Sequence, residues 1–354
     1  MRDQRSFFFN LRIVYRAYVR VLALVPEGST PPPRLAGHPA KEIARWRMEF
    51  DLVRAMRDRG HDVTCVEPRA EITRVLDAMA DKTPHVVFPM LEEFHGFVEF
   101  EPHVTALLEL RDVPYTGCNP RGLMIARDKA LTKTILARHA VRVPAFDVYP
   151  RGRRFHPPRV AYPLLVKSLT EESSAGLAHK SLVRDAKGLR DRVAFVHEEV
   201  RSDAIAEEYV LGRELSVAVL GNGRPRAFPP FELDLSGLPP EAPRFVTARV
   251  KWDPAFQRRH RIRQRRARLP PGAAARIAGL GRRVYSLLGF SGYARIDLRL
   301  REDGVPFVLE ANPNPDLSRA DDFARAAAAA GLAYGDLVER ILRLGIAYRA
   351  AWYQ

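Results

Sequence analysis

Between Val19 and Tyr115, apolar runs too short to be helices alternate with stretches whose apolar residues recur at helical spacing. Val19–Val25 is nearly continuous in aliphatics and reads as a buried parallel strand. A helical pattern covers Lys41–Arg59, and Gly60 stops it as a C-terminal cap. Val63–Val66 reads as a second strand, Ile72–Met79 as a second helix and His85–Met90 as a third strand. A helix over Val104–Arg111 then leads to Val113–Gly117, a strand closing on a turn. Strands that alternate with helices pair in parallel, because each crossover needs a helix to return the chain. The first domain is therefore expected to be Rossmann-like.

The remainder changes character. A helix over Asp128–Arg138 opens a second unit, with strands at Leu164–Leu169, Gly176–Leu182 and Ala204–Val210 and a helix over Ala186–Glu198. A third begins with the strand Glu214–Leu220, which Gly221-Asn222-Gly223 turns into another near Arg226, since Asn-Gly between apolar runs favours a hairpin. Pro271–Leu288 reads as a helix with Pro at its start. A second hairpin follows, Tyr293–Leu300 and Pro306–Ala311, turned by Glu302-Asp303-Gly304, and helices over Arg319–Ala330 and Tyr334–Tyr348 close the chain. The expected division is an extension at 1–18, then units at 19–125, 126–211 and 212–354. The fold class is α/β followed by α+β.

Composition narrows the function. No apolar run approaches the roughly 20 residues of a membrane helix. Phe7-Phe8-Phe9 is followed by Arg12, Arg16 and Arg20 without a small-residue cleavage site, so a cytoplasmic protein is expected. Cys65 and Cys118 are the only cysteines, which suggests no disulfide framework. The net charge of +15 raises the question of nucleic acid, but 49 of the 57 basic residues are Arg in an Ala- and Pro-rich chain. The densest run, Arg258 to Arg268, has no interleaved aromatics for base stacking. It is expected to be a solvated loop, and no nucleic-acid partner is expected.

The strongest chemical signal lies on the second hairpin. Arg295, Asp297 and Arg299 share one strand face, with Ile296 and Leu298 on the other. Glu310 and Asn312 end the return strand, so two carboxylates and an amide oxygen converge as hard ligands suited to magnesium held with a nucleotide's phosphates. A surface carboxylate pair is the plainer reading of that hairpin alone. Upstream stand Lys129 and Lys167, the second ending an apolar strand, where a buried charge would need an anion such as phosphate. Glu171-Glu172-Ser173-Ser174-Ala175-Gly176 follows, a small-residue loop able to wrap phosphate with its amides and hydroxyls. Ala206-Glu207-Glu208-Tyr209-Val210-Leu211-Gly212-Arg213-Glu214 could hold a purine by its amino group and its faces. Each of these is weak alone, and their order along the chain is what carries weight.

In that order the chain resembles the ATP-grasp superfamily, and within it the D-alanine–D-alanine ligase group, from about Val19 to Tyr348. The motifs that carry the likeness are Asp128-Lys129 with Thr132-Lys133, Glu207 to Glu214, and Gly292-Tyr293-Ala294-Arg295-Ile296-Asp297 with Glu310-Ala311-Asn312. The resemblance implies a Rossmann-like domain followed by two α+β lobes that clamp ATP. It implies an ATP-dependent ligase that activates a carboxylate as an acyl phosphate and lets an amine capture it. Phosphate-contacting lysines fall on Lys129 and Lys167, with Lys251 as a further one and Ser173 and Ser174 in the phosphate loop. The adenine-strand acid falls on Glu207, with Tyr209, Val210 and Leu309 around the base, and the ribose acid on Glu214. Metal ligands fall on Asp297, Glu310 and Asn312, for Mg²⁺ or Mn²⁺, and Arg295 takes the oxyanion-stabilising position. Small-molecule carboxylate and amine substrates are implied, as is a homodimer.

The substrate side departs from the family. Only Glu27 in Pro26-Glu27-Gly28-Ser29-Thr30 could hold a first substrate's ammonium, and Met90 to Phe97 offers Glu92 where the family has a Gly-rich run. Glu172 stands where the phosphate loop usually has glycine. Asp321, with Asp322 beside it, falls near the position of the serine that receives a second alanine's carboxylate. An acidic pair there favours a cationic or amide-capped acceptor, unless both side chains merely cap the following helix. Three readings are thus expected to compete: a ligase of amino acids or small peptides, an authentic D-alanine–D-alanine ligase, and an ATP-grasp protein that binds without turnover or stops at a phosphorylated product.

Overall fold

The first apolar run forms β1 (Arg20–Leu24), which α1 (Ala40–Arg57) carries to β2 (Asp62–Val66) and α2 (Ile72–Lys82) to β3 (Val86–Pro89). The computed structural model describes residues 18–171, 176–239, 242 and 244–350. The expected 1–18 extension, apart from Tyr18, and the loop residues Glu172, Ser173 and Ser174 lie outside those described. The three strands are parallel in the order β2–β1–β3. Val113–Gly117 is not a full strand: it makes a single parallel bridge, Tyr115 beside Val87, after α3 (Glu101–Leu110). Two helices then follow directly, α4 (Pro120–Arg127) and α5 (Lys129–Arg138). Asn119 and Asp128 cap them, accepting from the Gly122 and Leu131 amides.

The second sheet is antiparallel, built from β4 (Phe146–Tyr149), β5 (Leu164–Ser168), β6 (Leu182–Val183) and, after α6 (Ala186–Phe195), β7 (Ala204–Glu208), in the order β4–β7–β5–β6. The strand expected over Gly176–Leu182 is reduced to the two residues of β6. Ser181 is fully buried and its hydroxyl accepts from the Ala178 amide, a local bond that turns the chain before it can extend. β4 escapes sequence reading because the buried Asp147, which accepts from the Arg159 amide, interrupts its apolar pattern. Leu164, Val166, Ala204 and Ala206 point towards α6, which leaves Lys167 and Glu207 on the other face.

The third sheet is also antiparallel. Its strands and helices are β8 (Arg213–Leu220), β9 (Arg226–Ala227), β10 (Phe231–Asp234), α7 (Ala248–Trp252), α8 (Pro254–Arg259), β11 (Arg263–Arg266), α9 (Ala273–Leu287), β12 (Tyr293–Leu300) and β13 (Pro306–Pro313). The order is β11–β10–β8–β12–β13, with β9 folded back on β8, and α10 (Asp322–Ala329) and α11 (Tyr334–Ala347) complete the chain. The basic run expected to be a solvated loop instead forms the end of α8 and the edge strand β11. Arg265 pairs across it with Asp234 at 3.2 Å and Glu232 at 3.8 Å.

Alternation along β8 and β12 sorts side chains into two environments. Leu215, Val217, Val219, Ala294, Ile296 and Leu298 pack on Ile277, Val284, Tyr285 and Leu288 of α9 and its end. Burial of each Leu, Val or Ile among them is worth about 1.5–3 kcal/mol. The opposite face divides along its length. Ala218, Leu220 and Tyr293 join α10, α11 and the first sheet in one core, while Glu214, Ser216, Arg295, Asp297 and Arg299 leave the rest of that face polar. That polar half-face is one wall of the candidate site, and the Lys167–Glu207 face of the second sheet is the other.

Candidate active site

β12 and β13 set the centre. Asp297 stands opposite Glu310 and Arg295 opposite Asn312 in the antiparallel register. Regular alternation would put Val308 on the same face as Glu310, yet Val308 is buried in the α9 core. A β-bulge resolves the conflict: Leu298 pairs with Val308, so Leu309 is the extra residue and the phase changes there. Lys133 on α5 donates to the Leu309 carbonyl at 2.6 Å, and the Val308 amide donates to the Arg142 carbonyl.

Two charged clusters meet along this strand pair. In the first, the Lys167 ammonium donates to Glu310 at 2.6 Å and lies 3.3 Å from Glu207, whose other oxygen is 3.3 Å from Lys133. Lys167, Lys133 and Glu207 are almost fully buried. The sequence suggested that buried Lys167 would need an anion such as phosphate; two carboxylates already offset its charge. Burial alone would depress its pKa, but Glu207 and Glu310 more than reverse that and raise it. Burial would likewise raise Glu310, yet Lys167, Lys129 and Lys133 hold its carboxyl well below the usual range. Lys133, by contrast, is pushed down by burial.

In the second cluster Arg295 forks onto Asp297 at 2.8 and 2.9 Å and reaches Asp322 at 3.8 Å. The Asn312 amide donates to Asp297 at 2.7 Å, and the Ser216 hydroxyl to Asp322 at 3.0 Å. Burial raises the Asp297 pKa; Arg295 opposes this, while Asp322 and Glu310 add to it. A half-buried site that brings Asp297 and Glu310 together on neighbouring strands, with an amide oxygen beside them, has the hard-oxygen donor set that fits a magnesium-sized cation. Farther along the face Arg299 pairs with Glu214 at 2.9 Å.

The other residues singled out by sequence fall around these clusters. Lys129 donates to the Glu171 carbonyl at 2.7 Å, at the edge of the loop that would carry Ser173 and Ser174. The Tyr209 hydroxyl accepts from the Arg244 amide, and Val210 is buried beside it. Lys251 on α7 lies within electrostatic reach of Arg295, Glu92, Asp297 and Asp321, and burial depresses its pKa. Asp321 caps α10 by accepting from the Asp322 amide, whereas Asp322 itself faces Arg295. Glu27 is not drawn in: its carboxylate is exposed and faces Arg69 at 3.6 Å. Sequence reasoning placed Lys133 in a family motif and Arg299 on the face of Arg295 and Asp297 but gave neither a role, and it passed over Glu49. Lys133 sits four residues after Lys129 on the same helix face, which is the signal for its place in the site. Glu49, buried in the middle of α1, gave no signal.

Residues 155–343 match the family model described as D-ala D-ala ligase C-terminus. The chain belongs to the D-alanine–D-alanine ligase family. This ligase is 31% identical over 309 residues to the uncharacterized protein y4sG of Sinorhizobium fredii, covering 86% of this chain and 89% of that one. It is 32% identical over 253 residues to a D-alanine–D-alanine ligase of Bordetella petrii, covering 70% and 73%. With that of Nitratidesulfovibrio vulgaris (strain DP4) it shares 31% over 296 residues, 83% and 91%. Among solved structures, the D-alanine–D-alanine ligase from Bacillus anthracis complexed with ATP superposes with a TM-score of 0.71 at 19% identity, over 93% of this chain and 97% of that one. The fold is therefore ATP-grasp, with the three sheets described above. The ligase is an ATP-dependent enzyme that joins a carboxylate to an amine. Among the described residues no helix is long and apolar enough to cross a membrane.

Proposed function

We propose that this ligase activates a small carboxylate, an amino acid or short peptide, as an acyl phosphate and transfers it to an amine. A carboxylate oxygen attacks the γ-phosphorus of ATP, the bond to the bridging oxygen breaks and ADP leaves. The amine nitrogen then attacks the acyl carbon, the C–O bond to phosphate breaks, and inorganic phosphate departs with the electron pair while the amine's proton passes to solvent. Asp297, Glu310 and Asn312 would hold Mg²⁺, or Mn²⁺, which supplies charge neutralisation at the phosphates when bound.

The chain's own residues do the rest. Lys129, Lys167 and Lys251 offset phosphate charge, with Ser173 and Ser174 beside them, and Arg295 stabilises the oxyanion formed on amine attack. Glu207, Tyr209, Val210 and Leu309 enclose the base and Glu214 takes the ribose, with the units 126–211 and 212–354 closing on the nucleotide. Homodimer formation and a cytoplasmic setting complete the proposal.

The observation that carries this reading is the joined pair of clusters: Glu310 on β13, held by Lys167 from the second sheet, stands opposite Asp297 on β12, held by Arg295, so cations and carboxylates alternate across the cleft. ADP and phosphate release should accompany an amide detected by mass, and Glu310→Gln should lower turnover by roughly 10³-fold or more. Wild-type turnover in that variant would reject the metal role. The second reading, authentic D-alanine–D-alanine synthesis, is favoured by the relatives' names and opposed by Asp322, whose carboxylate faces Arg295. Turnover with D-alanine alone as both substrates would establish it.

A further inference from the structure

Away from the two charged clusters, a cavity of about 220 Å³ opens where the turn between β8 and β9 meets α11. Its apolar lining is Leu220, Phe228, Leu332 and Leu344, and the first two are buried core residues. Arg224 from the turn, Arg226 at the start of β9 and Arg340 from α11 bring three positive charges to it. Among the described residues no carboxylate lines the cavity, and no member of the two charged clusters contributes to it.

The acids of the same surface are engaged elsewhere. Arg59 pairs with Asp336 at 2.5 Å and Arg343 with Glu339 at 3.0 Å, around a neighbouring cavity of about 510 Å³ that shares Leu332, Arg340 and Leu344 with the first. Glu339 is also held by His61 at 2.9 Å. These are the carboxylates nearest to Arg340 along α11, and among the described residues Arg340 and Arg224 form no ion pair or hydrogen bond. Arg226 lies over the Phe228 ring at 5.5 Å and reaches the Ala330 carbonyl at 3.4 Å. Three guanidinium groups around one cavity repel one another, and an anion seated among them relieves that repulsion. The cavity wall is also built in advance. Asn222 accepts from the Gly292 amide at 3.0 Å and donates to the Leu344 carbonyl at 3.1 Å, while the Gly221 carbonyl accepts from the Tyr285 hydroxyl at 2.7 Å. A ligand therefore does not have to order the turn.

We propose that this cavity binds an organic phosphate monoester, its phosphate held by Arg224, Arg226 and Arg340 and its small apolar body seated on Leu220, Phe228, Leu332 and Leu344. Three cations with no acid among them favour a dianion over a single carboxylate, and the planar guanidinium grips phosphate oxygens through paired N–H bonds. The volume sets the body: an apolar cavity of about 150 Å³ takes benzene, so this one has room for one ring or a short chain below the head group. The site uses none of the residues assigned to the ligase reaction.

Titration calorimetry with phenyl phosphate tests it, at saturating ADP and magnesium so that phosphate positions of the nucleotide cleft are already filled. Phenyl phosphate should bind with a Kd of about 1 mM or below, and phenol and inorganic phosphate should each bind about tenfold or more weakly than that. Arg224→Gln and Arg340→Gln should each weaken phenyl phosphate by about tenfold, and the double variant should abolish its heat of binding. Both side chains are exposed, so the variants should keep the parent's Tm and its affinity for ADP. The proposal is overturned if the parent does not bind phenyl phosphate, or if the double variant binds it as the parent does. It is equally overturned if phenol binds as tightly as phenyl phosphate, which would make the site merely apolar, or if inorganic phosphate does, which would make it merely an ion site.

Discussion

Replacing Glu49 by Gln is expected to make the ligand-free protein more stable at alkaline pH and to leave it unchanged in acid. In the folded chain, burial first, then Asp316 and Glu92, push the Glu49 carboxyl from 4.5 to about 7. Below pH 4.5 both states hold the proton, so the group costs nothing. Between there and about 7 the unfolded chain has lost its proton while the folded chain keeps it, and stability falls as pH rises. Above about 7 the full cost is present: at 1.36 kcal/mol per tenfold, the gap amounts to roughly 3 kcal/mol. Gln keeps the shape and cannot ionise. With an unfolding entropy of about 2 cal/mol/K per residue, that difference moves Tm by about 4–5 °C in a chain of this length. Calorimetry of both proteins from about pH 4 to pH 8.5 should show curves that converge in acid and separate steadily above pH 5. A constant offset at all pH values, or a less stable variant at pH 8, would show that burial does not raise the Glu49 carboxyl.

Lys133→Met should destabilise by about 3–5 kcal/mol, because it strips Glu207 of one buried partner and the Leu309 carbonyl of its donor. The double variant Lys133→Met/Glu207→Met should recover part of that loss in chemical denaturation, and an additive double would reject the pairing. Gly292→Ala should be destabilising by about 2 kcal/mol or more, since a Cβ there would lie 2.3 Å from the Gly117 carbonyl oxygen at a backbone φ of 67°. Arg299→Met should raise the Glu214 pKa further, because burial already raises it and Arg299 is the largest opposing charge, ahead of Arg295, and it should weaken ATP affinity about tenfold or more by titration calorimetry.

Much of the fold was readable because most of its elements obey one period. The parallel strands of the first unit are plain apolar runs, and β12 alternates so cleanly that Arg295, Asp297 and Arg299 could be assigned to one face before any coordinates. The failures have local causes. β4 carries a buried Asp147, β6 follows a Ser181 turn, and β11 is a strand made of arginines whose pairing depends on acids some thirty residues away. The candidate site was legible wherever a residue sits in an ordered motif, as with Lys167, Glu207 and Glu310. It was not legible at Glu49, because helix periodicity records which residues are apolar and says nothing of a carboxylate turned inward. Nor could sequence show that Lys167 and Glu310 pair with each other, which needs two sheets to face across a cleft.

The extra residue in β13 has a mechanical consequence. Leu309 is gripped through its carbonyl by Lys133 and flanked by Val308, whose amide is tied to Arg142, so the kink in the strand is fastened to α5 and to the chain just after it. Glu310 is the next residue. Any tilt of α5 against the third sheet is therefore delivered through a lever one residue long to the carboxylate that holds Lys167. The strand is anchored on both sides of that kink, since Val308 before it and Ala311 after it are both buried in the layer against α9, and the polar residues Glu310 and Asn312 alternate with that anchor.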